Sequence, residues 1–345
     1  MVIVTNVKKY IRSKAETNLI ARQILINYRE WIYRSGQKGI VTKVPFGILN
    51  VELTNKCPMK CVMCARTNNM TRSQGLMELE TFKLVVDEYV SVNPERARTY
   101  DFWLHHFGES LVHPEFGKFI RYAVSKNMKV GLSINPIMLS AETSHDLLTS
   151  GISKLIVSLD GHDNESFLKI RGLRDAHEKS KTNFLVFLKM KKELNSKTRI
   201  ILRMIDFKMN RESIKQASDF WKSIEGIDEF TVKNLCTWNG DAADVNALSV
   251  MKSNNEELRK VYNVVGCHNP WQQVSVTWDG EVVPCCYDYD KKYVLGDVKK
   301  ESLSQIWNGE RMQALRKEFL SNNVQNFLCR QCPVLYPPLD HKDDV

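Results

Sequence analysis

Nine cysteines are the residues of this chain most able to do chemistry, and seven of them fall into two spaced patterns. The first is Cys57-Pro-Met-Lys-Cys61-Val-Met-Cys64, which follows an apolar, strand-like run from Phe46 to Thr54. A loop this tight can aim three thiolates at one small volume. A cubane iron–sulfur cluster takes four cysteine ligands. Three local cysteines without a fourth nearby point to a cluster with one iron left open. An open iron can bind a small chelating molecule, which is chemistry rather than structural support. The competing reading is zinc, but zinc favours CxxC pairs in a tetrahedral set of four, and CxxxCxxC does not supply that pattern.

The second pattern starts at Cys267, runs twelve residues to Gly280 and four more to Cys285, and closes with Cys329-Arg-Gln-Cys332. Four cysteines complete one cubane with no open site. Paired cysteines suit a zinc ribbon as well. Gly280 belongs in the turn, where φ needs to be positive. Cys286 adjoins Cys285, and only the count from Gly280 selects between them. Cys236 stands alone after a strand-like run, either as a buried free thiol or as lining of a cleft.

The string Thr54-Asn-Lys-Cys57-Pro-Met-Lys-Cys61-Val-Met-Cys64-Ala-Arg66, combined with the second pattern, resembles the radical S-adenosylmethionine (radical SAM) superfamily. It is similar to the members that carry a C-terminal SPASM or shorter twitch domain. The cysteines of a second auxiliary cluster are missing here, so the resemblance is to the twitch form. It implies a catalytic [4Fe–4S] cluster on Cys57, Cys61 and Cys64, with SAM on the open iron, and an auxiliary [4Fe–4S] cluster on Cys267, Cys285, Cys329 and Cys332. It further implies reductive cleavage of SAM to a 5′-deoxyadenosyl radical that abstracts a substrate hydrogen atom. The electron donor would be a flavodoxin, a ferredoxin or a dedicated reductase. The twitch enzymes oxidise alcohols of sugars and aminocyclitols, which makes such an alcohol the first expected substrate. Modification of a peptide is the alternative. A zinc-stabilised binding module without catalysis is the alternative from another class.

The elements needed to position these cysteines are legible. Residues 46–240 alternate strand-like runs with helical stretches, the βα pattern of a parallel sheet. Strands are expected at Phe46–Thr54, Tyr100–His106, Lys129–Asn135, Lys154–Asp160, Thr198–Ile205 and Glu229–Asn234. Six such units match the superfamily's partial (β/α)6 TIM-like barrel. Residues 1–45 read as a basic helical extension, with Ile11, Ala15, Leu19, Ile24, Tyr28 and Trp31 near one face. That face is expected to dock on the main domain, with contact to a membrane surface or an acidic partner as the other reading. Residues 241–261 read as a linker, 262–335 as the auxiliary domain with a hairpin at Asp279-Gly280, and 336–345 as a loose tail.

Residues at the ends of parallel strands are expected to meet ligands. Gly108 and Glu109 resemble a partial Gly-Gly-Glu motif, with Phe107 in place of the first glycine. In the family that motif receives the SAM amino group. Asn135, Ser158 and Asp160 end the third and fourth strands and are expected contacts to SAM or substrate. Arg203, on the fifth strand, is expected to hold the SAM carboxylate or a substrate group. Lys169-Ile-Arg171-Gly172 resembles the family's Arg-Gly segment. His105 and His106 alternate in direction, and ligand, acid–base and core roles stay open for both. Trp238-Asn239-Gly240 is expected to line the cleft.

Bulk properties bound the rest. A chain of 345 residues with 43% hydrophobic and 26% charged content is an ordinary globular composition, long enough for a sizeable core. The formal charge of +9 reads as spread along the chain, which suits a cleft for an anionic substrate better than nucleic acid binding. No apolar run reaches the roughly 18 residues of a membrane span. The opening residues lack an apolar core for export, and metal-binding thiols fit a reducing cytoplasm.

Overall fold

The computed structural model describes residues 18–249 and 255–336. Its strands form a single sheet in the order β6-β5-β4-β3-β2-β1-β7-β8-β9. Six of them run parallel, each beside its predecessor: β1 (Gly47–Val51), β2 (Asp101–Trp103), β3 (Lys129–Ile134), β4 (Lys154–Ser158), β5 (Arg199–Asp206) and β6 (Glu229–Asn234). Parallel neighbours need long crossovers. Helices supply them: α2 (Leu79–Val92), α3 (Phe116–Ser125), α4 (Ala141–Thr149), α5 (Asn164–Arg171), α6 (His177–Glu193) and α7 (Arg211–Ser223), with α1 (Leu19–Gly36) preceding the sheet. β6 does not return to β1, so the parallel strands form an open arc, the partial (β/α)6 barrel.

The pleat divides each strand between two faces. Val130, Leu132 and Ile134, Leu155 and Val157, and Ile200, Leu202 and Met204 are at most 2% exposed. They pack with helix side chains such as Phe82, Phe119, Phe184 and Phe187. The intervening Ser133, Ser158, Arg203 and Thr231 are less buried and face away from the helices. Local signals start and stop the helices. Ser140 Oγ accepts from Thr143 N to cap α4, and Asp163 and Ser166 make a capping box on α5. Gly172 ends α5 at φ +69°.

The hairpin expected around Asp279-Gly280 is present as β7 (Gln273–Val276) and β8 (Glu281–Val283), with Gly280 at φ +89°. Its placement was not legible in sequence. β7 lies parallel to β1, with Ile48 opposite Val274 and Val51 opposite Val276, and β9 (Gly296–Asp297) adds the outer edge. The C-terminal segment therefore continues the core sheet. Two helices follow, α8 (Leu303–Trp307) and α9 (Glu310–Leu320). The Glu88 carboxylate on α2 accepts from Leu303 N and Ser304 N at 2.7 and 2.8 Å, joining α8 to the barrel.

Two expectations about the ends are corrected. Helix α1 begins at Asn18, whose side chain caps Ile20 N and Ala21 N. It docks through Leu25, Ile26 and Arg29, and the stripe expected to dock, Leu19, Ile24, Tyr28 and Trp31, is exposed. Ile11 and Ala15 lie outside the described residues. The docking surface is the segment leading into Cys267: Arg29 Nη1 donates to Tyr262 Oη at 2.9 Å, and Asn263 N donates to Glu30 Oε1 at 2.6 Å. Tyr336, read as the start of the loose tail, is buried against Tyr262; residues 337–345 lie outside the described residues. Among the described residues no helix is long and apolar enough to cross a membrane.

Candidate active site

The cysteine loop leaves the C-terminal end of β1 and is held from both sides. Before it, Asn55 accepts from Gly75 N and donates to Ser73 O, while Thr54 Oγ1 donates to Gly75 O at 2.6 Å. Within it, Lys60 N and Val62 N donate to Arg171 O and Ile170 O, both at 3.0 Å. Those are terminal carbonyls of α5, which have no partner inside the helix. The loop thus caps α5, and α5 shapes the loop. A Cβ on Gly172 would lie 2.5 Å from Lys60 O, so the contact needs glycine there.

Cys61 is buried, and Cys57 and Cys64 are half-buried. Burial pushes Cys57 up to about 12, with the Glu109 charge adding to it, and Cys64 up to about 11. Thiols held in this way become thiolates only when a cation joins them. Arg171 Nη1 stands 3.5 Å from Cys61 Sγ, an N–H···S contact of the kind that tunes iron–sulfur groups. Three thiols in one loop, desolvated and facing a guanidinium, fit the cluster implied by the spacing.

Arg171 is itself held by Asp160, and here an expectation is corrected. Asp160, read as a contact to SAM or substrate, is fully buried beneath the strand ends. Its Oδ1 accepts from Ile205 N at 2.8 Å and Asn210 Nδ2 at 2.6 Å, and its Oδ2 pairs with Arg171. It supports the arginine that reaches Cys61, and its burial keeps it from a ligand at the surface of the site.

Gly108 and Glu109 follow β2 beside the cysteine loop. Gly108 has φ +95°, and a Cβ there would meet Thr54 O at 2.3 Å, so glycine brings the end of β2 against the approach to Cys57. Glu109 N donates to Lys56 O at 2.9 Å. The Glu109 carboxylate is buried and accepts from Leu111 N at 3.2 Å and Asn135 N at 2.7 Å. Burial lifts its carboxyl to about 7 against the pull of those two donors. A carboxylate has about four acceptor sites, so two remain for an ammonium. The Asn135 side chain is engaged locally, accepting from Ile137 N and reaching Ser158 O at 3.4 Å.

Ser158 and Arg203 lie in register on β4 and β5, and Arg203 in register with Thr231 on β6. Arg203 Nε donates to Thr231 Oγ1 at 3.1 Å, and Ser158 Oγ lies 3.5 Å from Ser133 Oγ. The two histidines divide as alternation requires. His105 Nδ1 accepts from Ser133 N at 3.2 Å, on the face carrying these hydroxyls. Burial pushes it down to about 3, with His106 and Arg203 adding to the effect. Its ring is therefore neutral, with the proton on Nε2 as a donor. His106 turns the other way and gives Nε2 to Cys286 O at 2.7 Å.

A second buried ion pair escaped sequence reasoning. Glu52, two residues before Thr54, is fully buried and takes both terminal nitrogens of Arg72 at 2.6 and 2.7 Å. It also accepts from Phe107 N at 3.2 Å and Trp278 N at 3.3 Å. One carboxylate thus ties β1, the segment after the cysteine loop, the Gly108-Glu109 turn and the β7–β8 turn. Its partners are 20, 55 and 226 residues away, so no local pattern marks it.

The later cysteines gather on the other side of β1. Cys329 and Cys332 are driven well above the ordinary thiol range, first by burial and then by neighbouring thiols, and burial takes Cys267 to about 12. All three feel Cys285. Cys286 is hydrogen-bonded to Cys285 and also lies near Cys236 and Tyr287. Cys285 Sγ accepts from Asn269 Nδ2 at 3.4 Å and from Tyr287 N at 3.5 Å. Cys267, Cys285, Cys329 and Cys332, each half-buried, are the four thiols that the second pattern names as one set. Cys285→Ala should remove about four irons per chain and Cys286→Ala none, counted by iron and sulfide analysis after anaerobic purification; equal losses would remove the distinction. Trp238, from the segment expected to line the cleft, packs at a tilt against Phe107 and edge-on to Tyr287. Cys236 Sγ accepts from Trp238 N at 3.4 Å.

Comparison with known proteins places the whole arrangement. The radical SAM superfamily profile matches residues 51–219, and an iron–sulfur cluster-binding SPASM domain matches residues 267–333. The chain is 23% identical over 317 residues to a tungsten-containing aldehyde ferredoxin oxidoreductase cofactor-modifying protein of Pyrococcus furiosus, covering 82% of this chain and 86% of that one. Its fold is similar to Streptococcus suis SuiB bound to precursor peptide SuiA, at TM-score 0.61 and 14% identity, covering 90% of this chain and 74% of that one. It is also similar to BtrN in complex with AdoMet and 2-DOIA, at TM-score 0.50 and 16% identity, covering 79% and 87%. Both matched domains bring iron–sulfur clusters, and the first brings SAM. The chain belongs to the radical SAM superfamily, as an enzyme with a C-terminal SPASM-type iron–sulfur domain.

Proposed function

We propose that this enzyme oxidises an alcohol on a small polar substrate, of sugar or aminocyclitol type. The carrying observation is the polar face of the open barrel, where Ser133, Ser158, Arg203 and Thr231 lie together with neutral His105. When bound, SAM and its cluster supply a radical that removes a substrate hydrogen atom, and the auxiliary cluster offers an acceptor for the second electron. Cys57, Cys61 and Cys64 would hold the catalytic cluster, and Cys267, Cys285, Cys329 and Cys332 the auxiliary one. Arg171 orients Cys61, with Asp160 behind it. Glu109 offers its free lone pairs to the SAM ammonium. Arg203, anchored on Thr231, has a guanidinium suited to a carboxylate. His105 donates from Nε2, and the serine and threonine hydroxyls accept and donate. That set recognises hydroxyl groups. Flavodoxin, ferredoxin or a dedicated reductase would deliver the first electron.

A peptide substrate is the second reading, favoured by the likeness over most of the chain to a structure holding a precursor peptide. Deuterated substrates separate the two. With SAM and a strong reductant under anaerobic conditions, deuterium on a carbinol carbon of a sugar or aminocyclitol should appear in 5′-deoxyadenosine, with a ketone as product. Transfer from a peptide and none from any polyol would replace the first reading by the second.

A further inference from the structure

Helix α1 carries apolar residues on two sides, and only one side is used. Leu25, Ile26 and Arg29 dock on the segment before Cys267. On the opposite side Ile20 is 73% exposed, Ile24 49% and Trp31 65%. At 100° per residue these three fall within about 40° of one another, and Tyr28 stacks beside Trp31 at 6.3 Å between ring centroids. The strap after the helix continues the theme, with Val41 62% exposed and Ile40 and Val44 also outward. This surface is held in place. Trp271 Nε1 donates to Gly39 O at 2.7 Å, Arg316 Nη1 to Ile40 O at 3.0 Å, and Trp307 Nε1 to Val44 O at 2.9 Å. The fixed strap keeps these apolar side chains outward, so they are a surface property rather than a fraying end.

Charge indicates what covers it. Residues 1–45 hold nine lysines and arginines against two glutamates, a net +7 of the chain's +9. The surplus read as spread along the chain is concentrated here. Arg34 borders this stripe on the helix, and Lys38 and Lys43 are exposed on the strap beside Ile40, Val41 and Val44. An apolar stripe with tryptophan and tyrosine, flanked by basic residues, suits the boundary between headgroups and acyl chains. A protein interface of this kind would need a matching acidic rim around an apolar centre, whereas an anionic bilayer meets both demands with one surface. We propose that α1 and the strap after it bind the surface of an anionic lipid bilayer, seating the enzyme peripherally with its auxiliary-cluster side toward the membrane.

The test is sedimentation of the full, anaerobically purified chain with vesicles of phosphatidylcholine alone or mixed with phosphatidylserine. Wild type should bind the mixed vesicles, bind the neutral ones poorly, and lose binding as salt rises. Ile24→Ser/Trp31→Ser and Arg34→Gln/Lys38→Gln/Lys43→Gln should each weaken binding about tenfold or more. The changed positions are exposed, and SAM cleavage in solution should be unaltered, which shows that the variants are folded. No binding to the mixed vesicles would overturn the proposal. So would wild-type self-association that Ile24→Ser/Trp31→Ser abolishes, since that gives the face to a second copy. Binding seen only after residues 1–17 are removed would also overturn it, by assigning the face to the chain's own leading segment.

Discussion

Replacing Cys57, Cys61 and Cys64 together with alanine should abolish SAM cleavage and lower the iron content from about eight to about four per chain. The result rests on two separable thiol sites. The first three cysteines lie in one loop between β1 and α5, and the other four lie across β1 near β7 and the C-terminal turns. Alanine keeps every backbone hydrogen bond of the loop, including Lys60 N and Val62 N on the end of α5. The fold and the auxiliary site should therefore survive, and the remaining four irons report that directly. Anaerobic iron and sulfide analysis, paired with chromatography for 5′-deoxyadenosine, reads both halves. Zinc in place of iron in the wild type, or SAM cleavage retained by the triple variant, would contradict the assignment.

Glu52→Ala should be the most damaging single change to stability, at roughly 3–5 kcal/mol, because it leaves the buried Arg72 guanidinium without a counter-charge. Arg72 is 4% exposed and Glu52 fully buried, so water cannot take over. The backbone N–H groups of Phe107 and Trp278 lose their acceptor as well. A drop of about 2–4 °C in Tm per kcal/mol, as for domains of this size class, puts the expected shift near 10 °C. Removing both charges is the informative control. Glu52→Leu/Arg72→Leu should recover part of the loss, since a hydrophobic pair can replace a buried ion pair at little cost. Thermal melts of the single and double variants decide it; a double variant no better than the single would mean that the backbone contacts dominate. SAM affinity should fall in Glu52→Ala too, since Phe107 leads directly into Gly108 and Glu109.

Which parts of the site could be seen beforehand follows from sequence distance. The cysteine loop, Gly108, the Gly280 turn and the boundaries of β3, β5 and β6 depend on spacing and alternation within a few residues. Asp160 illustrates the limit. Its place at a strand end marks it for a ligand role, yet Ile205 N, Asn210 and Arg171 occupy its oxygens. Each of those partners lies 11 to 50 residues away. Cys285 and Cys286 differ by one position, so only the count from Gly280 separates them in sequence. In the structure, Cys267, Cys329 and Cys332 each feel the charge of Cys285, which favours Cys285 over its neighbour.

Sequence alone pointed to the chemistry: thiol spacing and the family resemblance named the expected ligand sets, and hydrophobic period set six βα units and their faces. Both are properties of neighbouring residues, so they survive without knowledge of the fold. Tertiary structure decided what those faces meet. It placed β7 on β1, joined Glu52 to Arg72 and Trp278, and put Asp160 behind Arg171. It also turned the Ile24–Trp31 side of α1 outward although both sides of that helix are apolar. An amphipathic pattern states that a face can be buried; which face is buried depends on the surface offered by residues more than two hundred positions away, here Tyr262 and Asn263 against Arg29 and Glu30.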